Sequence, residues 1–150
     1  MVMPKLPFSL FDFNHINKFG PITKTLGAAA GADIATNLYT IPPFKFALIL
    51  SVSVESVKTT STRFEAYITR KAVHDSFVEH LIDETLGSTE HHASWPPAKA
   101  PATWIMAWHL LLMFPGDVLS IRHALTAAET IIDDISVSRI EYNDPRYEKE

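Results

Sequence analysis

The stretch whose reading decides the fold is Phe44 to Val57, FKFALILSVSVESV. From Leu48 on it alternates, with Leu48, Leu50, Val52 and Val54 on one side and Ile49, Ser51, Ser53 and Glu55 on the other. A period of two in a segment rich in β-branched residues predicts a strand with one face buried. At about 3.3 Å per residue it spans roughly 45 Å, more than twice a usual strand, and so calls for a large pairing surface.

On its C-terminal side Lys58 to Thr62 (KTTST) reads as a turn. Phe64, Ala66 and Ile68 then alternate against Arg63, Glu65 and Thr69, which predicts the second arm of a long β-hairpin. A helix competes for residues 63–69, because Thr62 and Glu65 stand at capping-box spacing and Phe64, Tyr67 and Ile68 fit one helical face. The hairpin is preferred, since the long strand otherwise needs a distant partner. A helix is expected from Lys71 to Leu86, with the stripe Val73, Phe77, Val78, Leu81 and Ile82 and Gly87 as its stop. Residues 88–101 (STEHHASWPPAKAP) read as a proline-punctuated loop.

The segment Ala102 to Phe114 (ATWIMAWHLLLMF) is the most hydrophobic in the chain, and Pro101 and Pro115-Gly116 bracket it as a helix. Thirteen helical residues reach about 20 Å, short of a bilayer core of about 30 Å, so no transmembrane segment is expected. A helix apolar nearly all round belongs in a core or under another chain. Asp117 is placed to cap a further helix with the stripe Val118, Ile121, Leu125, Ala128 and Ile132, and Ile135 to Tyr142 reads as a last strand.

On the N-terminal side Pro21 to Tyr39 is expected to be helical, with Pro21 at the first position and Gly27 and Gly31 four apart on one face. Lys24 and Asp33 flank a run too short for a membrane helix pair. Residues 1–20, with Pro4, Pro7 and Gly20, read as an extended arm whose aromatic anchors are Phe8, Phe11 and Phe13. Residues 143–150 form a charged C-terminal tail. The expected fold is therefore a single α+β domain over residues 21–142: a small antiparallel sheet built on a long β-hairpin, with three to four helices and the extended N-terminal arm.

Composition narrows the classes. The chain has 150 residues, 47% of them hydrophobic and 20% charged, enough apolar material for one core. Its net charge of −4 and its 13 scattered Lys and Arg lack the basic footprint of a nucleic-acid binder. Peripheral membrane contact is disfavoured because no basic face accompanies the apolar helix. The absence of cysteine excludes disulfides, thiolate nucleophiles and Cys-ligated metals, and weakly favours a reducing compartment. The first residues hold no continuous apolar run of signal-peptide length, so an intracellular location or one within a virus particle is expected.

No motif carries chemistry by itself. Seven histidines invite a metal, and Glu79, His80, Glu90, His91 and His92 are the densest group, yet adjacent loop residues seldom converge on one point and no HExxH pair occurs. His109 fits a satisfied core or interface histidine, and Asp133-Asp134 and Asp83-Glu84 resemble ordinary carboxylates at helix ends. Phosphate loops, nucleophile elbows and dinucleotide fingerprints are missing. No catalytic residue, metal or cofactor is expected. An overlong strand, an apolar helix and an aromatic arm all ask for partner surface. The functional expectation is a non-enzymatic structural subunit of a large assembly, a virion or phage-tail component or an accessory subunit, whose partners are copies of itself or other subunits. Its interface residues are Phe8, Phe11, Phe13, Trp104, Trp108 and Phe114. The alternative is a small ligand-binding domain or enzyme with an apolar pocket between the hairpin and helix 102–114.

Overall fold

The computed structural model describes residues 16–28, 34–57, 61–71, 77–96, 111–124 and 131–144, and every regular element among them is a strand. The strands are β1 (Ile16–Ala28), β2 (Ile34–Thr40), β3 (Lys45–Val57), β4 (Thr62–Thr69), β5 (Val78–Leu86), β6 (His92–Trp95), β7 (Leu111–Met113), β8 (Val118–Ala124) and β9 (Ile131–Asn143). They form two antiparallel sheets. The first has the order β1-β9-β3-β6, with β7 pairing β3 beside β6, and the second has the order β2-β8-β4-β5. Apart from β4–β5 and β6–β7, consecutive strands pass from one sheet to the other, and the two orders together are the connectivity of a jelly roll.

The α+β expectation is thus overturned. The expected hairpin fails in its pairing rather than in its strands: β4 is a strand, but it pairs with β5 and β8, while β3 pairs with β9, β6 and β7 in the other sheet. Helix 21–39 is replaced by the end of β1 and by β2, where β-branched Ile22, Thr23 and Thr25 suit a pleated strand and Pro21 is tolerated because β1 lies at a sheet edge. Part of helix 71–86 is β5, and the helix expected after Asp117 is β8 followed by β9. In β8 the buried residues Leu119, Ile121 and His123 recur every second position, a strand period that the spacing of Val118, Ile121 and Leu125 conceals. The last residues of the apolar helix, Leu111–Met113, are β7. The strand expected over Ile135–Tyr142 is present and longer at both ends. No helix among the described residues is long and apolar enough to cross a membrane.

The core lies between the sheets. Ile49, Val52, Val54, Ile135 and Val137 from the first pack on Phe64, Ala66, Ile68, Leu119 and Ile121 from the second. The predicted alternation of β3 breaks at one residue. Ile49 pairs with Arg139 and Ser51 with Ser138, so Leu50 is a bulge. Before it the odd residues Ala47 and Ile49 face the core, after it the even residues Val52 and Val54 do, and Leu50 is 39% exposed. Phe46, Leu48 and Tyr142 lie on the opposite face and are also buried, and the Phe114 ring meets Phe46 edge-on at 5.6 Å. Deleting Leu50 leaves both halves of β3 in phase with β9. The deletion is expected to keep a cooperative thermal transition and to cost less than Ile49→Ala, for which about 2–5 kcal/mol is expected; calorimetry of the two variants checks this.

Candidate functional site

Chemistry-bearing side chains gather in three places. The first is inside the sandwich. His123 in β8 and Asp133 in β9 stand in different sheets, and the alternation that turns Leu119, Ile121, Ile135 and Val137 inward turns these two inward as well. His123 Nδ1 is 2.7 Å from Asp133 Oδ2, and His123 Nε2 is 2.5 Å from Thr62 Oγ1. A carboxylate only accepts, so Nδ1 donates to it, and in the neutral ring Nε2 accepts the Thr62 hydroxyl proton. The hydroxyl, imidazole and carboxylate are thus ordered as in a nucleophilic triad. Access decides against that use, because His123 and Asp133 are fully buried and Thr62 is 2% exposed. The Phe64 ring closes one side of the imidazole edge-on at 5.5 Å. This is a polar bolt between the sheets. Ser56, directly opposite Asp133 on β3, adds a buried hydroxyl, and Ser56 Oγ and Asp133 Oδ1 have no partner among the described residues.

A second bolt lies toward the other end. The hydroxyl of Tyr39 in β2 donates to Glu141 of β9, and the Arg139 guanidinium lies 4.8 Å over the Tyr39 ring while Nη1 donates to the Gly20 carbonyl at 3.0 Å. Burial, and then the hydrogen bond to Glu141, push the Tyr39 hydroxyl well above its ordinary value of 10.0. Loop closure depends on Asp117, whose carboxylate accepts from the backbone of Lys71 and Phe114 and from Arg70 Nη1, each at 3.0 Å. Asp117 thus holds the backbone of two loops and does not cap the following helix expected from sequence, since that segment is β8.

The third place is the outer surface. On the second sheet Glu65, His80 and Asp83 bring three ligand atoms within 4.8 Å of one another. Arg63 donates to both Asp83 oxygens at 2.9 and 3.0 Å and stands 3.5 Å from Glu65, with Arg122 at 3.9 Å from the same carboxylate. The hydrogen bond from Arg63 holds the Asp83 carboxyl below its usual range. The negative charge a cation requires is already matched, so this group is an ionic network. On the first sheet one rung crosses four strands, His92 opposite Glu55, Glu55 opposite Asp134, and Asp134 opposite Thr25. Two clefts of about 330 and 400 Å³ share Glu55, His92 and Asp134 in their linings, and Val57 borders the larger. Among the described residues only the Thr25 hydroxyl bonds Asp134 there, at 2.7 Å, and two carboxylates directly opposed on neighbouring strands are unfavourable without a counter-charge.

The histidine-rich group expected from sequence is dispersed. His80 bonds Glu65 at 3.1 Å, His91 Nδ1 bonds the Ser56 carbonyl at 3.0 Å, and His92 lines the clefts. Asp133 and Asp134 take opposite faces of β9, not one helix end. Phe8, Phe11, Phe13, Trp104, Trp108 and His109 lie outside the described residues, and Phe114 is half-buried against Phe46. The proposed pocket between a hairpin and helix 102–114 loses its hairpin wall, since β3 and β4 belong to different sheets. Sequence reading missed the bolt because its members are 61 and 10 residues apart and form no local motif. The available signal was a histidine at a core position of a period-two segment. What the fold and these sites define is an all-β jelly-roll domain with sealed interior chemistry. No protein-family model matches the chain, and no curated protein matches it.

Removing one partner of a buried, bonded pair strands the other, so His123→Ala or Asp133→Ala is expected to cost about 3–5 kcal/mol, and His123→Leu with Asp133→Leu less than the sum; denaturant unfolding measures both. For Tyr39 the folded state holds its proton more tightly than the unfolded chain. The resulting stability is complete below 10.0 and is lost as pH rises through the raised folded value. Tyr39→Phe is therefore expected to flatten the fall of melting temperature between about pH 10 and 12.

Proposed function

We propose that this chain is a non-enzymatic structural subunit of a large protein shell of the virion type, acting by self-association. The observation that carries the reading is the jelly-roll connectivity of its two sheets, a wall-building unit of viral capsids that also serves lectins and cupins. Connectivity alone does not choose among these uses. Three features favour the wall. The Thr62–His123–Asp133 chain, which has the order of a catalytic group, is closed to substrate. The space between the sheets is filled by the core side chains rather than arranged around a ligand. Large apolar side chains stand exposed on strand ends and turns, as at Phe44, Val57, Phe77 and Ile132, where partner chains reach them.

The net charge of −4 favours a shell held by contacts between protein subunits over one condensed on nucleic acid. The interface set Phe8, Phe11, Phe13, Trp104 and Trp108 remains part of the proposal. The experiment is light scattering coupled to size exclusion across a concentration series, with electron microscopy of the heaviest fraction. Closed particles or a concentration-dependent oligomer are expected. A species of 16.8 kDa at every concentration overturns self-association.

A further inference from the structure

We infer that Lys45 and Asn143 form an intramolecular isopeptide cross-link, by which the start of β3 and the end of β9 become covalently joined. The inference is independent of the assembly reading, since both partners belong to one chain.

The strand ladder brings the two side chains together. Lys45 is the first residue of β3 and Asn143 the last of β9, and they are direct partners in the antiparallel register. Opposed residues have Cβ atoms about 4.5–5.5 Å apart, a gap that a lysine stem crosses easily. Both residues are half-buried, and Lys45 Nζ donates to Asn143 Oδ1. A nitrogen in hydrogen-bond contact with an amide oxygen lies within about 4 Å of the amide carbon, because the C=O bond measures about 1.23 Å. Reacting atoms in a near-attack arrangement stand about 3–3.5 Å apart, so a small side-chain movement suffices. The backbone beside the pair is fixed as well. The Asp144 amide donates to the Phe44 carbonyl at 2.9 Å, and Phe44 is held at φ 63°, a strained setting for a residue with a side chain.

A carboxylate stands at the next position on the same face. Ala47 and Ile49 turn into the core, so Lys45 shares their inner face, as do its register partner Asn143 and the Ala47 partner Glu141. Glu141 is 1% exposed and accepts the Tyr39 hydroxyl, with the Arg139 guanidinium over the Tyr39 ring. From β1, Lys18 is registered opposite Glu141 and is exposed. The reaction is an aminolysis of the side-chain amide. The Lys45 ammonium gives one proton, by way of one water, to the Glu141 carboxylate, and the Nζ lone pair attacks Asn143 Cγ. The Cγ–Nδ2 bond then breaks, and the departing nitrogen takes one proton from Nζ and one from Glu141 and leaves as ammonium. No oxidant or co-reactant is required. Ammonium escapes to solvent from the half-exposed pair, so the bond forms once and persists, joining residues 98 apart in sequence.

Intact mass spectrometry of the purified wild-type chain after incubation at neutral pH tests this. A mass lower by one ammonia than the sequence requires is expected, with tryptic peptides 25–58 and 140–146 recovered as one branched species uncut at Lys45. Lys45→Arg, which keeps the charge, and Asn143→Ala are each expected to show the full mass and a lower melting temperature, whereas Lys18→Arg retains the bond. Glu141→Gln, which keeps an acceptor for Tyr39, is expected to slow bond formation by about 100-fold. Glu141→Asp, which keeps a carboxylate, is expected to slow it less and serves where Glu141→Gln does not fold by circular dichroism. A wild-type chain of full mass overturns the cross-link. So does a loss of ammonia that persists in Lys45→Arg or lies within peptide 140–146 alone, which marks cyclisation of Asn143 on its own backbone. Bond formation at the wild-type rate in the Glu141 variants overturns the role of Glu141 as proton acceptor.

Discussion

The pairing of β9 along its whole length, with β1 on one side and β3 on the other, is the constraint on which the rest of the structure depends. β9 is 13 residues long, as are both of its neighbours, and the ladders place Ile135, Val137 and Val52, Val54 side by side on the inner face. The second sheet can close the core only where that inner face is continuous. The bulge at Leu50 keeps it so, by letting β3 change phase without moving its hydrophobic set to the outside.

Two polar bolts fix how the second sheet sits. Their cost is the burial of Asp133, His123 and Glu141, which requires partners with correct geometry. Their effect is selectivity: apolar faces slide past one another at little cost, whereas a hydrogen-bonded imidazole and a bonded phenol accept one relative position. The two bolts sit near opposite ends of β9, so together they set both translation and rotation of one sheet over the other.

Part of this was legible in the residues. The strand character of β3, of β4 and of the C-terminal half of β9 follows from alternation alone. Which strands pair does not, because period two is the same for every partner. β4 illustrates this, since nothing local says that Phe64 stands beside His123 of β8, 59 residues away, rather than beside β3. The helix expected over 71–86 arose from apolar residues that also happen to be three or four apart, as Val78, Leu81 and Ile82 are in β5. In β8 the polar ring of His123 at a core position interrupted the apolar alternation, so the residue that makes the bolt also hid the strand that holds it.

One feature of β1 bears on how copies of this chain can and cannot join. It is an edge strand of 13 residues, long enough to template a neighbouring chain into a continuous ladder. Pro21 stands in its middle without an N–H group, and Gly20 beside it departs from extended geometry with φ at +125°. An incoming strand meets a missing donor and a kink at the centre of the edge. Sheet extension, the route to fibrils, is thereby interrupted, while contacts through loops and strand ends are left free. Wherever identical edges of this kind crowd together, a proline at their centre stands against fusion into amyloid.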